Sequence, residues 1–431
     1  MKRVLIISPY FPPVNAADMH RVRTSLPYFK HLDWEAEVVI VDPFHTDMAQ
    51  DELLLQSIPA DLKIHKVKAF DKSWTSKLGL GSIALRALWY YKKYVTDLMR
   101  RSHFDLIYFS TTQFPVCILG AYWKKKFKVP YVIDMQDPWH SDYYRDKPKN
   151  QRPKKYWFSY RLNKWLEPMA LKGVNGLISV SPDYIADLKL RYREIENVPG
   201  ATITFGFFTP DLPIALQNQQ SFENVLGKDT VNIVYIGRGG ADLHRAIAPV
   251  FAALQKGLTH QPELFGHLKF YFIGTSYAPK GMGTPTILPL AAQYGVEKQV
   301  VELTDRVSYY HTLNILQQAD ALFIPGSDDP KYTASKLYPY LLTKKPLLAI
   351  FHPDSPAVNT LKSCTTDAVL FTLTDGKESL YQTLEAWGKG IFKPIELSEK
   401  IENYNAAHLA AQQVALFVKA INYFERTHTN A

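Results

Sequence analysis

Glycines that directly follow a short apolar run let the backbone approach a phosphate, because no Cβ stands in the way. Ile236-Gly237-Arg238-Gly239-Gly240 has that form, and Arg238 with Arg245 adds charge suited to a diphosphate. The same residues also fit a tight turn with solvated arginines, since short glycine motifs are frequent. A second group is Thr333-Ala334-Ser335-Lys336-Leu337. Ser335 is a good helix N-cap, which puts Lys336 in the first helical turn. The helix dipole disfavours a cation there, so Lys336 points to an anionic ligand, with a solvated lysine as the alternative. Gly274-Thr275-Ser276 is a third polar loop after an apolar run. All three fall at expected carboxyl ends of strands, where open α/β sheets bind ligands.

Different chemistry is available in Asp134-Met135-Gln136-Asp137-Pro138-Trp139-His140-Ser141-Asp142. Carboxylates at a strand end act as acid or base, or hold a metal. The spacing of Asp134, Asp137 and His140 matches no specific ligand motif, so no metal is expected. Asp137 is the candidate for catalysis or for orienting a second substrate. Asp134 either joins it or caps a helix. Tyr10-Phe11-Pro12-Pro13-Val14-Asn15 follows the first apolar run, and Asn15 and Arg21 offer polar contacts there, with Arg23 beyond. The prolines fit a stiff strand-to-helix connection equally well.

The stretch 145–172, which begins at Arg145 and ends at Lys172, holds nine Lys+Arg against Asp146 and Glu167. Tyr156, Trp157, Phe158, Tyr160 and Trp165 interleave with them. Phe158, Leu162, Trp165, Leu166 and Met169 share one helical face, with Pro168 expected to kink or restart the helix. Such a face either lies on an anionic membrane or packs on its own domain. Nucleic acid is not expected, because no binding motif accompanies the charge. The net charge is +9, and residues 1–205 carry all of it: 31 Lys+Arg against 21 Asp+Glu, leaving 19 against 20. A basic half attracts an anionic partner.

These groups need a scaffold, and the chain supplies one. Hydrophobic residues at 46% and charged residues at 21% exclude a disordered protein. At 431 residues, two domains are expected. No apolar run nears the roughly 18 residues of a membrane span, and the apolar start reads as a first strand rather than a leader. Cys117 and Cys364, the only cysteines, give no disulfide framework and fit a reducing cytoplasm. Apolar runs at 4–7, 38–41, 106–109, 131–133 and 177–180, and then 231–236, 270–273, 321–324 and 347–350, read as strands. They alternate with helical patterns such as 19–29, 83–100 and 246–258, which predicts parallel α/β units. The expected domains are 1–208 and 231–403. A Pro- and Gln-containing linker at 209–230 joins them, and an amphipathic helix occupies about 404–426.

The order of these motifs resembles the retaining GT-B glycosyltransferases of bacterial surface-polysaccharide biosynthesis (family 4-like, group 1). The matching residues are Ser8-Pro9-Tyr10-Phe11-Pro12-Pro13 with Arg21, Asp105-Leu106-Ile107-Tyr108, Asp134-Met135-Gln136-Asp137-Pro138-Trp139 and Ile178-Ser179-Val180-Ser181. They continue in Tyr235-Ile236-Gly237, Phe272-Ile273-Gly274, and Ser335-Lys336-Leu337 ahead of Lys345-Pro346. The resemblance implies a GT-B fold of two Rossmann-like, doubly wound domains facing a central cleft. It implies that 231–403 binds a nucleotide-sugar donor through Gly237, Arg238, Gly239, Gly240, Arg245, Gly274, Ser335, Lys336 and Leu337. A saccharide or polyprenyl-linked acceptor would meet Asn15, Arg21 and Asp134 on 1–208. Asp137, Arg238 and Lys336 would be catalytic, without metal or cofactor and with retention at the anomeric carbon. Residues 404–431 would pack back on the first domain. The implied setting is cytoplasmic, peripheral at the inner face of a bacterial plasma membrane. Departures are Lys331 and Pro339 where the family has two glutamates, Ala16-Ala17 for paired glycines, and Gln136 for an arginine. They keep two rivals open: a catalytically silent nucleotide-sugar-binding or scaffolding relative, and a GT-B-like epimerase or hydrolase.

Overall fold

The computed structural model describes residues 1–429 except 143, 144, 146–148, 150, 151, 153, 154, 331–335 and 375–377. The chain forms two compact units, Met1–Phe208 with Asn405–Ala431, and Thr209–Tyr404. The strands of the first are β1 (Lys2–Ile7), β2 (Trp34–Val41), β3 (Lys63–Val67), β4 (Leu106–Ser110), β5 (Tyr131–Met135), β6 (Gly176–Ser179) and β7 (Gly200–Thr202). They make one parallel sheet in the order β3-β2-β1-β4-β5-β6-β7. Central strands are covered on both faces, so their sequences are continuous apolar runs. Leu5 and Ile7 enter the core on one face, while Val4 and Ile6 enter the core on the other.

The second core includes part of the C-terminal helix Ala406–Thr429. Phe417 packs its ring against Tyr108, Trp34 and Phe29, with centroids 4.9, 5.4 and 6.1 Å away. Gln413, also buried, donates to Ser25 Oγ at 2.7 Å. The helix is therefore part of the first unit's core.

The second unit has β8 (Val231–Ile236), β9 (Leu268–Ile273), β10 (Val300–Leu303), β11 (Ala321–Pro325), β12 (Leu347–Phe351) and β13 (Val369–Thr372). They are parallel, in the order β10-β9-β8-β11-β12-β13. Both sheets reverse direction of growth beside their first strand, between β1 and β4 and between β8 and β11. That is the doubly wound pattern, and those two points are where such sheets take ligands. Residues 209–230, expected as a linker, carry a short helix, Asp211–Gln217, inside the second unit. Asp211 is held there by the hydroxyls of Tyr309 and Tyr310 at 2.8 and 2.9 Å.

Candidate functional site

In the second unit, β8 and β11 pair only through Ile233 and Val234, then diverge. The divergence leaves Ile236 without a β11 partner, and the buried Tyr340 hydroxyl fills the gap. It accepts from Ile236 N at 2.7 Å and donates to Ile236 O at 3.2 Å. Tyr340→Phe strands both backbone groups, so we expect it to cost about 1–3 kcal/mol of stability in denaturant titration. A cost near zero would mean that the hydroxyl does not hold the switch point.

Lys336 lies beside this junction. Its ammonium stands 4.9 Å from the Tyr235 ring centroid and donates to the Tyr235 hydroxyl at 3.2 Å. That hydroxyl in turn donates to Arg238 O at 2.9 Å. A Cβ on Gly237 would fall on the Lys336 ammonium, so a larger residue there would push the lysine head aside. Burial, then the nearby charges of Arg238 and Arg306, pull the Lys336 pKa down to about 7. Among the described residues no carboxylate pairs with it. A desolvated cation with cationic neighbours and no counter-ion is an anion site in waiting.

The glycine loop itself needs correction. Gly237 N donates to Ile273 O at 2.9 Å, Gly239 N to Thr275 O at 2.8 Å, and Gly240 N to Thr286 Oγ1 at 3.1 Å. The loop prolongs the β8–β9 ladder, so these three N–H groups are not an open phosphate cradle. Arg238 grips Asp242 through two bonds, 2.8 and 2.5 Å, and Asp242 also accepts from Ser327 at 2.8 Å. Its charge is thus largely balanced, and the pair links the loops after β8 and β11. Arg245 is exposed in the first turn of the helix His244–His260, which has no side-chain cap. Gly274 has φ of +74°, a turn conformation that glycine allows. Its N–H bonds to Leu303 O at 2.8 Å.

Ser335 and Lys331 lie outside the described residues. The helix spans Leu337–Leu342 with Lys336 itself at the N-cap, so Lys336 precedes the first turn. Leu337 is a core residue, which leaves its side chain no ligand contact. Pro339 stands third in the helix, where no intrahelical N–H bond is lost. The sequence reading missed Asp242, Arg306 and Glu302, and gave Tyr235 a place in a motif but no role. Glu302, on β10, accepts from Thr275 Oγ1 and from the N–H groups of Thr286, Ile287 and Leu288, at 2.7–2.9 Å, and so fixes both ends of the loop after β9.

In the first unit, Arg21 and Asp134 are not exposed contacts. Arg21 Nε lies 2.7 Å from Asp134 Oδ2, with side chains 2% and 0% exposed. Arg21 also donates to Ile203 O and Thr204 O, at 2.7 and 3.3 Å. Asp134 further accepts from Ser110 at 2.9 Å and from Gln136 at 3.1 Å. Gln136 carries the network to Asp18 O at 3.1 Å. This buried, mutually paired cluster removes both residues from any acceptor surface. Asn15 stays half-exposed in the loop after β1, pinned by its own N–H to Ala49 O at 2.8 Å.

Asp137 is exposed and makes no hydrogen bond or ion pair among the described residues. Desolvation, then the Asp18 charge, raise its pKa above the ordinary aspartate value. It lines a cavity of about 560 Å³ with Thr112, Gln113, Trp139 and Asn163. His140 faces a separate cavity of about 410 Å³. Among the described residues no group of three His, Cys, Asp or Glu side chains converges as a metal-ligand set.

No family model and no curated protein matches this sequence. Solved structures do match its fold. The N-terminal domain of Candida albicans trehalose-6-phosphate phosphatase is 12% identical, with TM-score 0.60 and 97% of each chain covered. Sucrose-phosphate synthase from Thermosynechococcus elongatus is 12% identical, with TM-score 0.53, 100% of this chain and 99% of that one covered. Anabaena HepE, solved in complex with UDP, is 14% identical, with TM-score 0.51 and both chains covered completely. At such identities the likeness is one of fold. The chain has the GT-B fold, α/β with two Rossmann-like domains, shared with glycosyltransferases.

Proposed function

We propose that this chain is a nucleotide-sugar-dependent glycosyltransferase, retaining and metal-independent, with its donor diphosphate on the second unit. The carrying observation is the Lys336 ammonium, which has no carboxylate partner among the described residues, set against Gly237 at the β8–β11 switch point. The solved complex of HepE with UDP supports a nucleotide ligand for this fold. In transfer, the bond from the anomeric carbon to the diphosphate breaks and an acceptor oxygen bonds to that carbon. The acceptor proton passes to the departing phosphate oxygen. Lys336, with Arg238 behind it, neutralises the charge that develops on the leaving group. Asp137 and Asn15 orient the acceptor hydroxyl on the first unit. A nucleotide-binding but silent relative is the second reading, favoured by the internally bonded glycine N–H groups and the Arg238–Asp242 pair.

A thermal-shift screen of nucleoside diphosphates and nucleotide sugars tests the reading, followed by transfer assays in EDTA. We expect stabilisation by one diphosphate series and transfer that persists without divalent metal. Stabilisation with no transfer to any saccharide would favour the silent relative. Loss in EDTA, reversed by manganese or magnesium, would restore a metal role to Asp137 and His140.

The acceptor is proposed to be lipid-linked, held near an anionic membrane at the inner face of a bacterial plasma membrane. No helix among the described residues is long and apolar enough to cross one. In the helix Tyr156–Leu171, which runs through Pro168, Leu166, Glu167, Ala170 and Leu171 are buried. Trp157, Phe158, Trp165 and Met169 are exposed, Trp165 by 64%, so this helix leaves much of its large apolar surface uncovered. Nearby Trp74 and Leu80 are exposed too, and Phe158 lies against Gly79. Each basic residue near an anionic surface contributes about 1 kcal/mol, screened by salt. Co-sedimentation with liposomes should therefore rise with anionic lipid, fall with salt, and drop sharply in Trp165→Glu. Equal binding to neutral vesicles, or none to either, would remove the membrane from the proposal.

A further inference from the structure

The uncovered face of the helix Tyr156–Leu171 is a groove rather than a flat stripe. Trp157, Arg161 and Trp165 stand four residues apart along one side, and Phe158 and Leu162 along the other. Together they line a cavity of about 460 Å³, within the ordinary range of small-molecule sites. Leu162 packs on the core beneath and forms the floor. The three rings are 45–64% exposed and Arg161 is exposed too, so a ligand reaches all four from solvent. Contiguous exposed apolar surface of this kind marks an interaction site.

The lining selects the occupant. Four of the five residues are apolar, which suits hydrocarbon and offers a neutral polar ligand little. The fifth, Arg161, has no acidic partner among the described residues, and neither has Lys164 one turn on. The helix's one acid, Glu167, is buried and bound to Arg191 at 2.6 Å. The exposed charge of the helix is therefore all positive, and a guanidinium matches the oxygens of a phosphate. Phe158 and Leu162 also line the cavity of Asp137, where Thr112, Gln113 and Ser159 supply polar groups. An apolar groove, a cation and a polar cavity thus adjoin within the first unit. That is the composition of an amphiphile with a hydrocarbon chain, an anionic link and a hydroxyl-bearing head.

We infer that this groove holds the hydrocarbon chain of the acceptor, with Arg161 on the phosphate that ends the chain and the sugar head in the Asp137 cavity. The inference rests on the transferase reading and deepens it. It differs from adhesion to a bilayer, since a groove takes a single chain from solution. Because Phe158 and Leu162 wall both cavities, few sugars can separate the phosphate from the reacting hydroxyl. The acceptor is then a short lipid-linked saccharide, not a long polymer.

The test uses the full chain in solution, without vesicles. Geranyl diphosphate, below its micellar concentration, is the probe, with geraniol and inorganic pyrophosphate as its separate halves. Binding is read by calorimetry and by saturation-transfer NMR on the chain protons. The probe should bind more tightly than either half. Arg161→Gln should weaken it about tenfold, the worth of a hydrogen bond to a charged group, and leave geraniol unchanged. Trp165→Ala should weaken both geranyl compounds and leave pyrophosphate unchanged. Both side chains are exposed, so neither variant threatens the fold. Lys336→Ala is measured in parallel, because the anion site of the second unit also suits a diphosphate, and groove binding should survive in it. Binding that both groove variants leave unchanged, or that Lys336→Ala alone abolishes, overturns the groove. No binding of the free probe also overturns it, and co-sedimentation with anionic vesicles then marks a face that only rests on bilayers. UDP binding is read on the same samples. Where UDP binds, each of these failures leaves the transferase reading intact; where it does not, that reading falls whatever the probe does.

Discussion

Lys336→Ala is expected to weaken nucleoside diphosphate binding ten- to a hundredfold, since hydrogen bonds to charged groups are worth about 1.5–3 kcal/mol. Gly237→Ala should do almost as much without touching a charge, because its Cβ would displace the ammonium. Arg245→Ala, on an exposed side chain, should change little. Arg238→Ala is different in kind: it unmasks Asp242, and the loss should be partly reversed in the double variant with Asp242→Ala. pH provides a further check. The free-state pKa of Lys336 is lowered to about 7, and an anion must raise it. Affinity should be full below pH 7 and fall as pH rises above it, with proton uptake visible as buffer-dependent calorimetric heat. Lys336→Arg, always charged, should flatten that profile. Without ligand the sign reverses. The unfolded lysine keeps its proton to about pH 10 while the folded one releases it from about 7, so stability rises with pH across that window. Calorimetry showing equal affinity in wild type and Lys336→Ala at pH 6 would remove Lys336 from the donor site.

The parts of this fold that were legible in the sequence are those buried on two faces. The nine apolar runs fall on β1, β2, β4, β5, β6, β8, β9, β11 and β12. The four strands that sequence reading missed, β3, β7, β10 and β13, are the four sheet edges. An edge is half-solvated, and Lys63-Ile64-His65-Lys66-Val67 shows what that does to an apolar run. Missing β10 also hid Glu302 and Arg306, which stand on it and just past it. The glycine loop was located correctly, but its N–H groups could not be assigned, because whether a ladder continues past a strand end depends on the neighbouring strand. Asp242 did leave a trace, four residues after Arg238, the spacing of a helical ion pair. Tyr235 stands in the Tyr235-Ile236-Gly237 motif, but one aromatic in an apolar strand does not show that its hydroxyl will take the Lys336 ammonium. The outward turn of Trp157 and Trp165 depended on which side of their helix the sheet offered, which periodicity alone does not say.

The pairing of Arg21 with Asp134 was the least legible feature, and it carries the largest stability effect expected here. Each residue offers a plausible surface contact in sequence, at the end of a stiff loop and at the end of a strand. Their burial together changes what substitution should do. Arg21→Met removes one partner and leaves the Asp134 carboxylate in the core with only Ser110, Tyr108 and Gln136 as donors. It also frees the carbonyls of Ile203 and Thr204, which follow β7. Breaking a buried pair from one side typically costs about 3–5 kcal/mol, because a charge is left uncompensated. Asp134→Asn alone should cost less, since the amide keeps the shape and some hydrogen bonds. Combined with Arg21→Met, it should recover part of the loss, because no buried charge then remains. Urea titrations of the two single variants and the double variant give the coupling directly. If Arg21 were instead an acceptor contact, Arg21→Met would keep wild-type stability and lose only transfer. Retained stability in that one variant would return both residues to the acceptor surface.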